Sequence, residues 1–139
     1  MAVVSKKIKL NSQGETDIID ITESVAAQVE SSKLKDGVAT VFVPGSTAGL
    51  TTIEYEPGLV KDTKQVFEVF APRDGQYHHN LRWHDGNGFS HVRAAILGAS
   101  LSVPFTNKKL QLGTWQQIVL IDFDNRSRSR EIIVQIVGE

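Results

Sequence analysis

Val38-Ala39-Thr40-Val41-Phe42-Val43 decides the fold class, because it is almost wholly apolar and rich in β-branched side chains. That composition marks a strand buried on both faces. Just before it, Asp36-Gly37 supplies the stop of a helix that runs from Thr22 to about Lys35. Thr22 is placed to cap that helix and Glu23 falls in its first turn. Val25, Ala26 and Val29 give it a narrow apolar stripe. Further upstream, Ser5 to Leu10 alternates polar and apolar residues, Asn11 to Gly14 reads as a turn, and Thr16 to Ile21 reads as a second strand. These two strands are expected to form a hairpin.

Downstream, Pro44-Gly45-Ser46 interrupts the apolar run, and Leu50 to Tyr55 resumes as a strand rich in Thr and Ile. Pro57-Gly58 opens a second helical stretch, in which Leu59, Val60, Val66, Phe67 and Phe70 fit one face loosely. Residues 71–90 carry Pro, Gly, Asp, Asn and His without periodicity. They read as a loop of about 20 residues, a length usually reserved for function or disorder, and Tyr77 and Trp83 argue against disorder. His91 to Leu97 reads as a short helix ended by Gly98. Strands follow at Ser100 to Phe105, Lys109 to Leu112, Gln116 to Phe123 and Arg130 to Val137, with hairpin turns at Asn107-Lys108 and Asn125-Arg126. Many strands and about two main helices, not alternating regularly, give the α+β class: a single compact domain over residues 1–139 with a mostly antiparallel or mixed sheet.

The totals agree. At 139 residues the chain can bury roughly 65–70% of its unfolded surface and build a core unaided. A net charge of −1 supplies no field for nucleic acid or an anionic membrane. The absence of cysteine excludes disulfides, thiol catalysis and Cys-based zinc sites, and agrees with a reducing, cytoplasmic setting. Met-Ala-Val-Val-Ser-Lys-Lys is not the start of a secretory signal, and no apolar stretch approaches the ~18–20 residues of a membrane span.

Candidate chemistry gathers in the long loop. All four histidines, His78, His79, His84 and His91, fall between residues 78 and 91. Imidazole is the commonest metal ligand and the side chain best suited to proton transfer near neutral pH. The cluster therefore reads as a metal or acid–base site, or else as a polar loop of solvated rings. No His-x-x-x-His pair is present to fix a metal face. Glu54 interrupts a strand that is otherwise apolar and Thr-rich, so it must be exposed, paired or functional. Asp74 and Asp85 could orient the histidines or ligate a metal. Pro44-Gly45-Ser46-Thr47-Ala48-Gly49 joins two strands with small residues that would let backbone N–H groups approach an anion, or is simply a crossover turn. Arg126, Arg128 and Arg130 alternate, so in an extended segment they share one face, suited to phosphate or carboxylate; Arg130 sits deepest. Gly113 suggests a bulge, and Trp115 beside it reads as core or subunit interface.

Three stretches together resemble the YjbQ-like family, often labelled secondary thiamine-phosphate synthase. They are Ser46-Thr47-Ala48-Gly49-Leu50-Thr51-Thr52-Ile53-Glu54; Tyr77-His78-His79-Asn80 with Gly86-Asn87-Gly88-Phe89-Ser90-His91; and Leu112-Gly113-Thr114-Trp115-Gln116 with Arg128-Ser129-Arg130. The resemblance covers about Ile18 to Gly138. It implies a compact α+β domain assembled as a homotrimer, with polar residues gathered in one pocket at a subunit boundary. It also implies catalytic roles for His79, His91 and Glu54, and binding of a small phosphorylated molecule by Ser46, Thr47, Asn87 and Arg130. His79 and His91 would hold a divalent ion such as zinc, with His84 as a third ligand. Many members carry a histidine where this chain has Gly45, so any inherited metal chemistry would need His84 or His78 as its substitute. The implied activity is transfer of thiamine-phosphate synthase type. The residues also admit a metal-assisted hydrolase or a non-catalytic trimer that binds a small anion.

Overall fold

The computed structural model describes residues 1–139. Eight strands form two antiparallel sheets. The larger has the order β1 (Ala2–Ser12), β8 (Arg128–Gly138), β3 (Gly37–Phe42), β5 (Ser100–Thr106), β6 (Lys109–Leu110). The smaller has the order β2 (Asp17–Asp20), β7 (Gln117–Asp122), β4 (Ala48–Ile53). Four helices complete the fold: α1 (Thr22–Ser31), α2 (Pro57–Phe70), α3 (His78–Trp83) and α4 (Gly88–Leu97). This is a single α+β domain, as its strand-rich, irregularly alternating sequence predicts.

The layers follow from β7. Ile118 and Leu120 point into a large core, where they meet Ile8, Val41, Ile132, Val134 and Ile136 of the larger sheet and Val25 and Val29 of α1. Val119, Ile121 and, just beyond the strand, Phe123 point the other way, against Phe67 of α2 and Ala94 of α4. The small sheet is thus a middle layer between the large sheet and a helix pair. Each side chain of this kind stabilises the fold by roughly 1.5–3 kcal/mol on burial. The strand buried on both faces is therefore β7, not β3. In β3 only Ala39 and Val41 face the core, while Val38 and Phe42 are each 42% exposed on the outer face.

Local geometry corrects several sequence expectations. The N-terminal hairpin does not form, since β1 pairs with β8 along its whole length and β2 pairs with β7. Gly14, Glu15 and Thr16 all have positive φ, and the Glu15 amide donates to the Asp124 carbonyl, so the chain crosses from one sheet to the other at this point. Asn125-Arg126 likewise joins strands of different sheets. Asn107-Lys108 is a hairpin turn as expected, with φ of 52° and 67° as a type I′ turn requires. Thr22 does not cap α1: its hydroxyl donates to Asp20 and accepts from the Ile118 amide, pinning the helix to β7. Helix α1 ends at Ser31, short of Lys35, because the chain turns at Lys33 (φ 66°). At α2 the capping carboxylate is Glu56, which accepts from the Gly58 and Leu59 amides at 2.8 Å each. The 71–90 segment is not structureless, since α3 lies within it. The Asn80 side chain, on α3, accepts from the Gly88 amide at 2.9 Å and ties α3 to the start of α4.

Candidate functional site

The site lies where β4 and β8 begin and β7 ends. Asp122 and Asp124, at and just beyond the end of β7, are wholly buried. Two carboxylates without water persist only if paired. Asp122 accepts from Arg130 Nε at 2.7 Å and Nη2 at 2.9 Å, and from the Ser12 hydroxyl at 2.5 Å. Asp124 accepts from Arg128 Nε at 2.7 Å, the Asn125 amide at 2.8 Å and the Thr47 hydroxyl at 3.1 Å. Burial alone would raise the Asp124 pKa, but the bonds from Arg128 and the Asn125 amide outweigh it and hold the carboxyl below its ordinary value. The arginine alternation therefore does place Arg128 and Arg130 together, but both are balanced by carboxylates, while Arg126 is exposed.

Across this cluster stand the histidines. His79 of α3 and His91 of α4 have ring centroids 4.3 Å apart, tilted by 36°. Nδ1 of His79 is enclosed without a hydrogen-bond partner and lies 3.7 Å from Asp85 Oδ1. The Asn87 amide is best satisfied with its nitrogen toward Asp85, at 2.9 and 3.2 Å; the opposite orientation directs it to Asp124 at 3.3 Å. Burial lowers the His91 pKa, the neighbouring His79 lowers it further, and Asp124 and Asp85 only partly offset this. A neutral imidazole at pH 7 is the result. His91 also lines an open cleft of about 460 Å³ with Gly45 and Ser46 of the β3–β4 loop, Ala48 at the start of β4, and Ala94 and Ala95 of α4.

Of the residues the sequence singles out, His79, His91, Ser46, Thr47, Asn87 and Arg130 share this end of the molecule. Glu54 does not. It is exposed just past the far end of β4, about 20 Å along the strand from Ala48 at 3.3 Å per residue. Its end is also marked by Gln116, whose side chain donates to Thr52 at 3.1 Å, and by Trp115, which is 72% exposed and so not core. His84 is exposed at the left-handed C-cap of α3. His78 lines a separate cleft with Gly75, Gln76 and Leu81. No three His, Asp or Glu side chains stand together as a metal-binding group. The sequence pattern does not single out Asp122 and Asp124, although charge within and just after the apolar run Ile118 to Phe123 is the same signal that marks Glu54.

Comparison with known proteins places this arrangement. The family model described as UPF0047 protein YjbQ-like matches residues 6–139. The chain belongs to the YjbQ-like UPF0047 family. A UPF0047 protein of Methanothermobacter thermautotrophicus is 36% identical over all of this chain and 95% of its own length. YugU of Bacillus subtilis is 32% identical over 96% of this chain and 98% of its own. Among solved structures, a protein of unknown function from Sulfolobus solfataricus superposes with a TM-score of 0.90 at 33% identity, covering 99% of this chain and 100% of that one. In the YjbQ-like chain described here, no helix is long and apolar enough to cross a membrane.

Proposed function

We propose that this YjbQ-like protein is a transferase of thiamine-phosphate synthase type that binds phosphorylated small molecules in the cleft beside His91. The His79–His91 pair is its proton-handling centre. The observation that carries this reading is the contact of the two imidazoles at 4.3 Å, with His91 on the cleft wall and its pKa depressed. A neutral imidazole beside a second one can accept and pass on a proton near pH 7. In the reaction, the nitrogen of a thiazole phosphate bonds to the methylene carbon of a pyrimidine diphosphate. The carbon–oxygen bond breaks, and pyrophosphate leaves with the bonding electrons; the proton it takes up enters from water and is relayed by the two imidazoles. The lack of cysteine suits a cytoplasmic setting for such an enzyme.

The same reading makes the active unit a homotrimer. Glu54 and Trp115 stand exposed at one end of the small sheet and the histidines at the other. Copies docked head to tail would bring the Glu54 end of one against the His79 end of the next, and such contacts close into a ring. Mixing inactive Glu54→Gln and His79→Ala variants tests both ideas. Mixed trimers contain boundaries that are wild type on both sides, so thiamine phosphate formation should return. If neither variant loses activity, or the mixture stays inactive, the shared site is wrong.

A metal-assisted hydrolase is the second reading, favoured by the orphaned Nδ1 of His79. One chain offers His79 and His91 without a third ligand, short of the three that catalytic zinc takes, so the donor set of one copy does not fit a resident ion. Elemental analysis of untagged protein distinguishes the two: a stoichiometric metal lost in His79→Ala would favour the hydrolase.

A further inference from the structure

We infer that the Gly45-Ser46-Thr47 loop and Nη1 of Arg130 form an oxyanion subsite, and that Gly45 determines what enters it. This rests on the reading of the His91 cleft as a substrate site, and adds where the ligand's charged end lies. Arg130 is the anchor. Its side chain is only 9% exposed. Nε and Nη2 are held by Asp122, and Nη2 also donates to the Thr47 hydroxyl at 2.7 Å. These bonds fix the guanidinium plane. Nη1 donates to nothing within the chain and is not among its enclosed unpaired atoms, so it remains available.

Nη1 faces Gly45. A Cβ at that position would stand 2.9 Å from it, and a guanidinium clamped through its other nitrogens cannot swing aside. Gly45 also has φ of +155°, a conformation that L side chains rarely adopt. Any other residue would fill the space between Nη1 and Gly45, whose backbone lines the cleft together with Ser46. The backbone supplies more donors: the amides of Gly45, Ser46 and Thr47 donate to no group of the chain. Unpaired successive amides beside an arginine make a concavity for an anion. Because Asp122 and Asp124 offset Arg130 and Arg128, the subsite offers directed donors with little surplus positive charge. It therefore suits the terminal oxyanion of a small molecule, a phosphate or a carboxylate, whose uncharged body lies along Ala94 and Ala95 toward His91.

The test is titration of full-length protein with inorganic phosphate and, separately, acetate, followed by amide chemical shifts and calorimetry. Phosphate is expected to shift the Gly45, Ser46 and Thr47 amides. Gly45→Ala, checked for an unchanged fold by thermal melting, should weaken binding about tenfold or more, the scale of one lost charged hydrogen bond. If acetate takes the place of phosphate in both readouts, the subsite stands with a carboxylate ligand. Shifts confined to other residues, no binding of either anion, or equal affinity in folded Gly45→Ala would overturn it. Phosphate should still bind to His79→Ala/His91→Ala, so the subsite and the proton-handling centre fail or survive separately.

Discussion

Arg128 donates to Oδ2 of Asp124 through Nε at 2.7 Å, its Nη2 lies 2.6 Å from the same oxygen in an ion pair, and that carboxylate is wholly buried. Removing it leaves Arg128 half-buried without its partner and the Thr47 hydroxyl and Asn125 amide without their acceptor. Asp124→Ala should destabilise the fold by about 3–5 kcal/mol, which lowers the melting temperature by on the order of 10 °C or more for a domain this size. The folded Asp124 has a lowered pKa, so its contribution is present above the ordinary carboxylate range and is lost as pH falls through the folded value. Melting curves should show the difference between wild type and variant shrinking below about pH 4. A difference of under about 1 kcal/mol at pH 7 would show the pair to be dispensable.

His91 has the opposite charge logic and the same acid sensitivity. Burial and His79 lower its pKa, so the unfolded chain takes up a proton at a higher pH than the native one. The unfolded state binds more protons between the folded pKa and about 6.5, and stability must fall as pH falls through that window. Denaturant titrations at several values between pH 5 and 7.5 should show a shallower pH slope for His91→Gln than for wild type. The same variant should lose turnover. Identical slopes would mean that His91 is not protonated less readily in the fold.

The fold class was legible because the pattern of strands depends on short-range alternation, which a sequence displays directly. Sheet membership is not, because Asn11 to Gly14 looks like an ordinary hairpin turn. Only the positive φ run at Gly14, Glu15 and Thr16, bonded to Asp124, sends β2 to a different sheet. In β3 the alternation was hidden because Val38 and Phe42 are apolar yet lie on the outer face. At the site, the histidine cluster drew attention because four histidines fall within fourteen residues, and the fold brings His79 and His91 into contact. The buried carboxylates Asp122 and Asp124 are not legible in the same way, because alternating arginines at 128 and 130 suggest an outward-facing anion row, whereas the fold turns both onto those carboxylates. Only the family resemblance links Glu54 with the histidines, and one chain keeps them at opposite ends of β4.

Arg93 holds the helix that carries His91. Its side chain is 4% exposed, and it donates to the Ala71 carbonyl at 2.9 Å, the Thr16 hydroxyl at 2.7 Å and Glu68 at 2.8 Å. It thereby ties the end of α2, the crossing between the sheets and α4 together. Its guanidinium also sits 5.0 Å from the centre of the Phe89 ring. Arg93→Met should cost about 2–4 kcal/mol, mostly from buried acceptors left unpaired. Arg93→Lys should recover little, because an ammonium cannot reproduce the planar fork. Chemical denaturation measures both, and full recovery by lysine would reduce the role of Arg93 to that of a bare charge. Glu68→Gln should be far milder, since Glu68 is half exposed and water can replace its partner.

Trp115 is the place to challenge the proposed trimer. It is 72% exposed beside the Glu54 end of the small sheet, where nothing within the chain accounts for so large an apolar side chain. A tryptophan can bury 150–250 Å² against a partner, and such residues carry a large share of the free energy of interfaces. Trp115→Ala should shift the protein from trimer toward monomer at micromolar concentration, read by light scattering after size exclusion. The melting temperature extrapolated to low concentration should change little, because Trp115 is 72% exposed in one chain. Its loss should also reduce turnover in proportion to the trimer lost, if Glu54 of one copy serves the histidines of the next. A wild-type protein that is monomeric, or a Trp115→Ala variant that stays fully trimeric, would remove the head-to-tail contact at this end.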